Sequence, residues 1–212
     1  MFVGSWVTAL KCVLAVVAIA CSLSLAACSV KPNGEGMPYE KKPYTAMYVR
    51  EDFAGKERQS RSHYIFSNDG KGRACIELAE SKNGTSLLLY DYLNCRMYEL
   101  DPARRTGIGT SLRKSVGFFQ DEHWLKSALY VNSLGEQDVG GHHCRWYRWK
   151  IPASTTDLWF DAANGCLVSA SSKDLRGGPR NASWIVHLEK YEGIALPPEA
   201  FSIAKYHIDQ QE

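Results

Sequence analysis

The chain has 212 residues, with 25 Lys and Arg against 23 Asp and Glu, 45% apolar residues and 23% charged ones. These are ordinary globular values, and they exclude wholesale disorder, a collagen-like chain and a polytopic membrane protein. A net charge of +2 is too small for a nucleic-acid binder, which carries a clear basic surplus.

The first 28 residues read as an address. Met1 to Leu10 holds no acidic residue, and Lys11 supplies positive charge. Cys12 to Ser24 is an apolar run of 13 residues, closed by Leu25-Ala26-Ala27-Cys28. A run this short, ended by small residues, predicts an export signal rather than a spanning helix. Leu25 to Cys28 resembles the lipobox of bacterial lipoproteins. That resemblance implies cleavage before Cys28 and acylation of Cys28, so that acyl chains tether the protein to a membrane. A cut at Cys21 would shorten the apolar run, and an ordinary secretory signal is the other alternative. Ser29, where an Asp could stand, resembles the pattern of lipoproteins sent to the outer membrane of a two-membrane host. The expected location is therefore the cell envelope, on the periplasmic side of the outer membrane in such a host.

The predicted organisation is a signal over 1–27, a lipidated cysteine and flexible tether over 28–43, and one β-rich domain over 44–212. Removing the signal takes away Lys11, leaving 24 basic against 23 acidic residues, net +1. Of seven cysteines, Cys12 and Cys21 leave and Cys28 is the anchor. Cys75, Cys95, Cys144 and Cys166 remain, an even number that suggests two disulfides in an exported protein. Residues 29–43 hold three prolines and two glycines without an apolar period, which predicts a spacer.

From Tyr44 the period is two. Met47 and Val49 alternate with Tyr48 and Arg50, and His63 and Ile65 with Tyr64 and Phe66. Ala74, Ile76 and Leu78 alternate with Arg73, Cys75 and Glu77, and a further run lies near 132–139. Trp184, Val186 and Leu188 alternate with Ile185, His187 and Glu189. Such runs are strands of an antiparallel sheet. Turn signals separate them at Asn68-Asp69-Gly70, Asn83-Gly84, Asn164-Gly165 and Gly177-Gly178-Pro179. About nine or ten strands are expected. Ser115 to Tyr130 breaks the period, and its acid-first order predicts a short helix at about 119–130 lying across the sheet.

A weak internal echo is visible. Cys75 precedes Leu88-Leu89-Tyr90-Asp91 and Asn94-Cys95, as Cys144 precedes Leu158-Trp159-Phe160-Asp161 and Asn164-Gly165-Cys166. Two similar three-strand meanders would produce it, and would favour Cys75–Cys95 and Cys144–Cys166. Strands two apart, however, lie about 9–10 Å from each other, beyond a usual disulfide span, so the connectivity stays open.

Chemistry-bearing motifs are missing. His142 and His143 are adjacent on a strand, point to opposite faces and cannot share one metal with Cys144. Gly107-Ile108-Gly109-Thr110 is predicted to be a turn rather than a phosphate loop. No nucleophile elbow is present. We therefore expect no metal, no cofactor and no enzyme. Large aromatics do stand out, with Trp124, Trp146, Trp149, Trp159 and Trp184 after the signal. They fill a core, or they line an apolar groove between sheet and helix suited to an acyl chain.

Ser133 to Tyr147, containing Gly135, Val139, Gly141, Cys144 and Tyr147, resembles a strand pair of LolA/LolB-like envelope proteins. Leu158-Trp159-Phe160-Asp161 followed by Gly165-Cys166-Leu167-Val168 is similar to their next hairpin, with Cys166 where proline is common. Asp69 to Arg73 and Leu196 to Phe201 resemble their early Arg-bearing strand and closing segment. The resemblance spans most of 44–205. It implies a mainly β (α+β) fold, a curved antiparallel sheet or half-open β-barrel with one or two short covering helices. It also implies an apolar cavity, for which Trp124, Leu125, Trp146, Trp159 and Trp184 are the candidate lining. Two functions follow as expectations: an envelope lipoprotein binding a lipid or acyl chain, or a non-catalytic module with a filled core that recruits an envelope protein partner.

Overall fold

The computed structural model describes residues 39–78, 86–112, 122–127, 130–175 and 182–211. The export signal, Cys28 and most of the tether lie outside the described residues. Twelve strands form one sheet. They are β1 (Tyr44–Ala54), β2 (Glu57–Asn68), β3 (Arg73–Leu78), β4 (Ser86–Asp91), β5 (Arg96–Asp101) and β6 (Thr106–Ser111). After helix α1 (Glu122–Ser127) come β7 (Val131–Val139), β8 (His142–Ile151), β9 (Ser154–Asp161), β10 (Leu167–Asp174), β11 (Ala182–Glu192) and β12 (His207–Gln210). The spatial order is β12-β6-β5-β4-β3-β2-β1-β11-β10-β9-β8-β7. Every pairing is antiparallel except β12 on β6. The result is the expected mainly β architecture, an open curved half-barrel with very little helix among the described residues.

The period of two sorts side chains onto two faces. The inner face carries Tyr44, Ala46 and Tyr48 of β1, Tyr64 and Phe66 of β2, Val186 of β11, Ala170 of β10, Leu158 and Phe160 of β9 and Tyr147 of β8, all in one buried cluster with Leu125 of α1. The outer face of β3–β5 carries Cys75, Leu89 and Leu100. A C-terminal segment crosses it, seating Phe201 and Tyr206 in a second cluster. Phe201 sits in a 3-10 turn, Pro198–Phe201, and is 2% exposed.

Several expectations change. The sheet has twelve strands, not nine or ten. The added strands include β6, where Gly107 and Gly109 were expected to turn. A Cβ on Gly107 would fall 2.6 Å from Leu100 Cδ2 and 3.0 Å from Ile208 Cδ1. The glycine is thus a strand residue that makes room for the C-terminal segment, a packing demand that local propensity does not carry. The helix is observed over Glu122–Ser127, and residues 113–121 and 128–129 lie outside the described residues. The loops with Asn83-Gly84 and Gly177-Gly178-Pro179 also lie outside, while Asn68–Gly70 and Asn164-Gly165 turn as expected. Packed chain begins by Tyr39, whose ring stacks on Tyr92 at 6.3 Å. Gly70, at φ +64, lets Lys41 and Pro43 pass close beside it, since a Cβ there would lie 2.6 Å from the Lys41 carbonyl oxygen.

Phe201→Ala is expected to cost about 3 kcal/mol, lowering Tm by roughly 6–12 °C in a chain of this size. Thermal unfolding measures it, and a shift below about 2 °C would show that the C-terminal segment is dispensable.

Candidate functional site

The inner face has two different ends. One end gathers the starts of β1 and β8 and the turn after β9. There the predicted helix region docks through a carboxylate. Glu122 is 3% exposed and takes a two-pronged contact from Arg145, Nε to Oε1 at 2.6 Å and Nη2 to Oε2 at 2.7 Å. The Tyr147 hydroxyl donates to Oε1 at 2.8 Å, and Lys126 Nζ lies 3.1 Å from the same oxygen. Arg145 also donates to the Ala162 carbonyl. Burial alone would raise the Glu122 pKa, but the bonds from Arg145, Tyr147 and Lys126 outweigh it and hold the carboxyl below its usual range. Burial and the Glu122 bond push Tyr147 up to about 12. Beside this clasp, His123 Nε2 lies 3.3 Å from Glu40 Oε2 and Lys42 Nζ donates to the Ala163 carbonyl. The incoming chain, α1 and the β9–β10 turn are therefore tied together.

Between the ends lies an aromatic floor that the sequence reading passed over. Tyr48 and Tyr64 stack at 5.2 Å, and Tyr44 meets Phe66 at 5.4 Å. The Tyr48 hydroxyl is buried with no hydrogen-bond partner among the described residues, and burial raises its pKa well above the ordinary value. Its sequence signal is the set of tyrosines at 44, 48 and 64 on the alternating runs.

At the far end, burial declines along β1 and β2 towards their turn. Arg50 donates to Asp52 Oδ1 through Nε at 3.0 Å and Nη2 at 2.8 Å, and its guanidinium lies 5.0 Å from the Trp184 ring. Ser60 donates to Asp52 Oδ2 at 2.9 Å. Register places Arg50 opposite Val186 and Asp52 opposite Trp184, so all four share the inner face. Thr156 and Ser172, also on that face, are bonded hydroxyl to hydroxyl at 2.9 Å.

The five candidate lining residues do not share one surface. Leu125 and Trp184 belong to the inner cluster. Trp146 and Trp159 face each other across β8 and β9 on the outer face, stacked at 6.0 Å. The Trp124 side chain lies outside the described residues. The four cysteines among the described residues, Cys75, Cys95, Cys144 and Cys166, carry free thiols. Cys75 belongs to the outer cluster and Cys95 packs against the inner one, so the sheet separates them. Cys144 pairs with Asp161, whose amide donates to the Cys166 carbonyl. Burial pushes the Cys144 thiol up to about 11 and Cys166 to about 12, which makes both poor nucleophiles at neutral pH. His142 pairs with Asp161, whereas His143 contacts Asp138 and Glu136.

No protein-family model matches the chain, and no curated protein matches it. Solved structures do. The chain is similar to PNGF-II, with 10% identity, a TM-score of 0.51, and 80% of this chain covering 31% of that one. It thus spans under a third of that protein, and the likeness is one of fold. It is also similar to a LolA superfamily protein from Nitrosomonas europaea, at 10% identity over 78% of this chain and 92% of that one, TM-score 0.42. A third is the lipoprotein LppX of Mycobacterium tuberculosis, at 10% identity over 69% and 85%, TM-score 0.35.

Glu122→Gln is expected to cost about 2 kcal/mol at neutral pH, the worth of charge-assisted bonds to a buried group. Because the folded pKa is lowered, the Glu122 contribution is complete above the unfolded carboxylate pKa and disappears as pH falls through the folded one. The difference in unfolding free energy between the variant and the parent should therefore shrink below about pH 4, as denaturant melts across pH will measure. Non-reducing peptide mapping is expected to recover Cys75 and Cys95 in separate, unlinked peptides.

Proposed function

We propose that this chain is an envelope lipoprotein, tethered to a membrane through acylated Cys28, whose half-barrel receives a lipid acyl chain on its inner face without catalysis. Lipid or lipoprotein traffic is the setting that such binding serves. The observation that carries this reading is the inner face itself. Between its polar ends it carries a large apolar and aromatic cluster on a curved sheet, with α1 rather than a second sheet among its covering elements. Concave apolar surfaces with a few placed polar groups are the usual form of lipid and small-molecule sites. Entry of an acyl chain has to displace part of α1, because Leu125 and the floor beneath it are fully buried.

That same burial favours a second reading, in which the core is permanently filled and the protein recruits an envelope partner. The two readings differ in what reaches the inner tryptophans, Trp149 of β8 and Trp184 of β11, which both pack against the inner cluster. With a brominated fatty acid, the lipid reading expects quenching that is lost in Trp149→Phe/Trp184→Phe and kept in Trp146→Phe/Trp159→Phe. Native mass spectrometry of the purified chain should find co-purified lipid. No quenching and no lipid would leave the partner-recruiting reading in its place.

A further inference from the structure

Arg50 and Asp52 form an ion pair at an unusual place, on the inner face of a half-barrel where the apolar floor gives way. Their side chains are 23% and 29% exposed, so both can be reached. The pair is also incompletely used. Asp52 engages Arg50 through the single oxygen Oδ1, on Nε and Nη2, which leaves Nη1 without a partner among the described residues. Asp52 Oδ2 receives only the Ser60 hydroxyl there. The Trp184 ring 5.0 Å from the guanidinium and the Ser60 bond hold both groups in place before any ligand arrives. A cation held over an indole face keeps its N–H edge free for an acceptor.

We propose that this pair receives a zwitterionic lipid headgroup, one bearing a phosphate and an ammonium, while the acyl chain lies on the inner face. This rests on the lipid-binding reading above and adds the class of lipid. The argument is one of charge. Arg50 offers its Nη1 edge, the side turned away from Asp52, to a phosphate, and Asp52 Oδ2 beside it offers an acceptor to an ammonium. A purely anionic headgroup on Arg50 has to sit against the Asp52 carboxylate, and a purely cationic one on Asp52 against the guanidinium. A neutral headgroup uses neither charge. Only a headgroup with both signs side by side satisfies both partners. The chain that follows it meets Tyr64 and Leu78, which pair across β2 and β3 and belong to the inner cluster.

The test is calorimetric titration of the purified, delipidated full chain, below the micelle concentration, with three lipids of one acyl chain length. They are lysophosphatidylethanolamine (zwitterionic), lysophosphatidylglycerol (anionic) and monoacylglycerol (neutral). The zwitterionic lipid should bind roughly tenfold tighter than the other two, as one charge-assisted hydrogen bond to a partly buried group provides. Asp52→Asn should weaken the zwitterionic lipid and tighten the anionic one, an opposite change that damage to the fold cannot produce. Arg50→Gln should weaken both phosphate lipids and leave monoacylglycerol unchanged. Three lipids bound alike, or an Asp52→Asn chain that loses the anionic lipid as it loses the zwitterionic one, would overturn the headgroup site alone. Binding of none would overturn the lipid reading together with it.

Discussion

Twelve strands joined edge to edge satisfy their backbone groups in the sheet, but they leave two broad faces to be kept from water. A sandwich solves this with a second sheet. Here the two faces are dealt with separately and by chain segments. On the outer face, the C-terminal segment lays Phe201, Tyr206 and Ile208 over Cys75, Leu89 and Leu100. On the inner face, curvature brings distant strands round a shared cluster, into which α1 puts Leu125. Each cover is short, so each depends on a small number of large side chains.

The inner cover depends further on one carboxylate. Moving Glu122 out of water is unfavourable by itself. The Arg145 fork, the Tyr147 hydroxyl and Lys126 compensate together, and the lowered pKa of Glu122 records that they do so. A six-residue helix has little stability of its own. Among the described residues, its position is set by these bonds and by Leu125, and the same corner holds Glu40 and Lys42 of the incoming chain. Fold, cover and point of entry are connected at one place.

Much of this was readable in the sequence. Alternating runs such as Trp184–Leu188 and Ala74–Leu78 became strands with the expected phase. The echo between the two cysteine-bearing stretches proved to be two real meanders, β3–β4–β5 and β8–β9–β10. In both, an aspartate at the end of the middle strand, Asp91 or Asp161, accepts bonds from the turn that follows. What could not be read was which tryptophans share a surface. Trp146 and Trp184 look alike in sequence, and register alone puts them on opposite faces. Nor could local pattern link Glu122 to Arg145, which are 23 residues apart, or foresee that Gly107 stands in a strand because Leu100 and Ile208 press on it.

A sheet that does not close has two borders. One is β12, only four residues long, too short to template another strand. The other is β7, nine residues and mostly exposed. Gly135, at φ +101, interrupts its register with β8. Glu136 and Asp138 stand along it, held by His143. A second copy of the chain arriving border to border would bring carboxylates against carboxylates across a kinked strand. The half-barrel is thus guarded against stacking into open-ended ribbons.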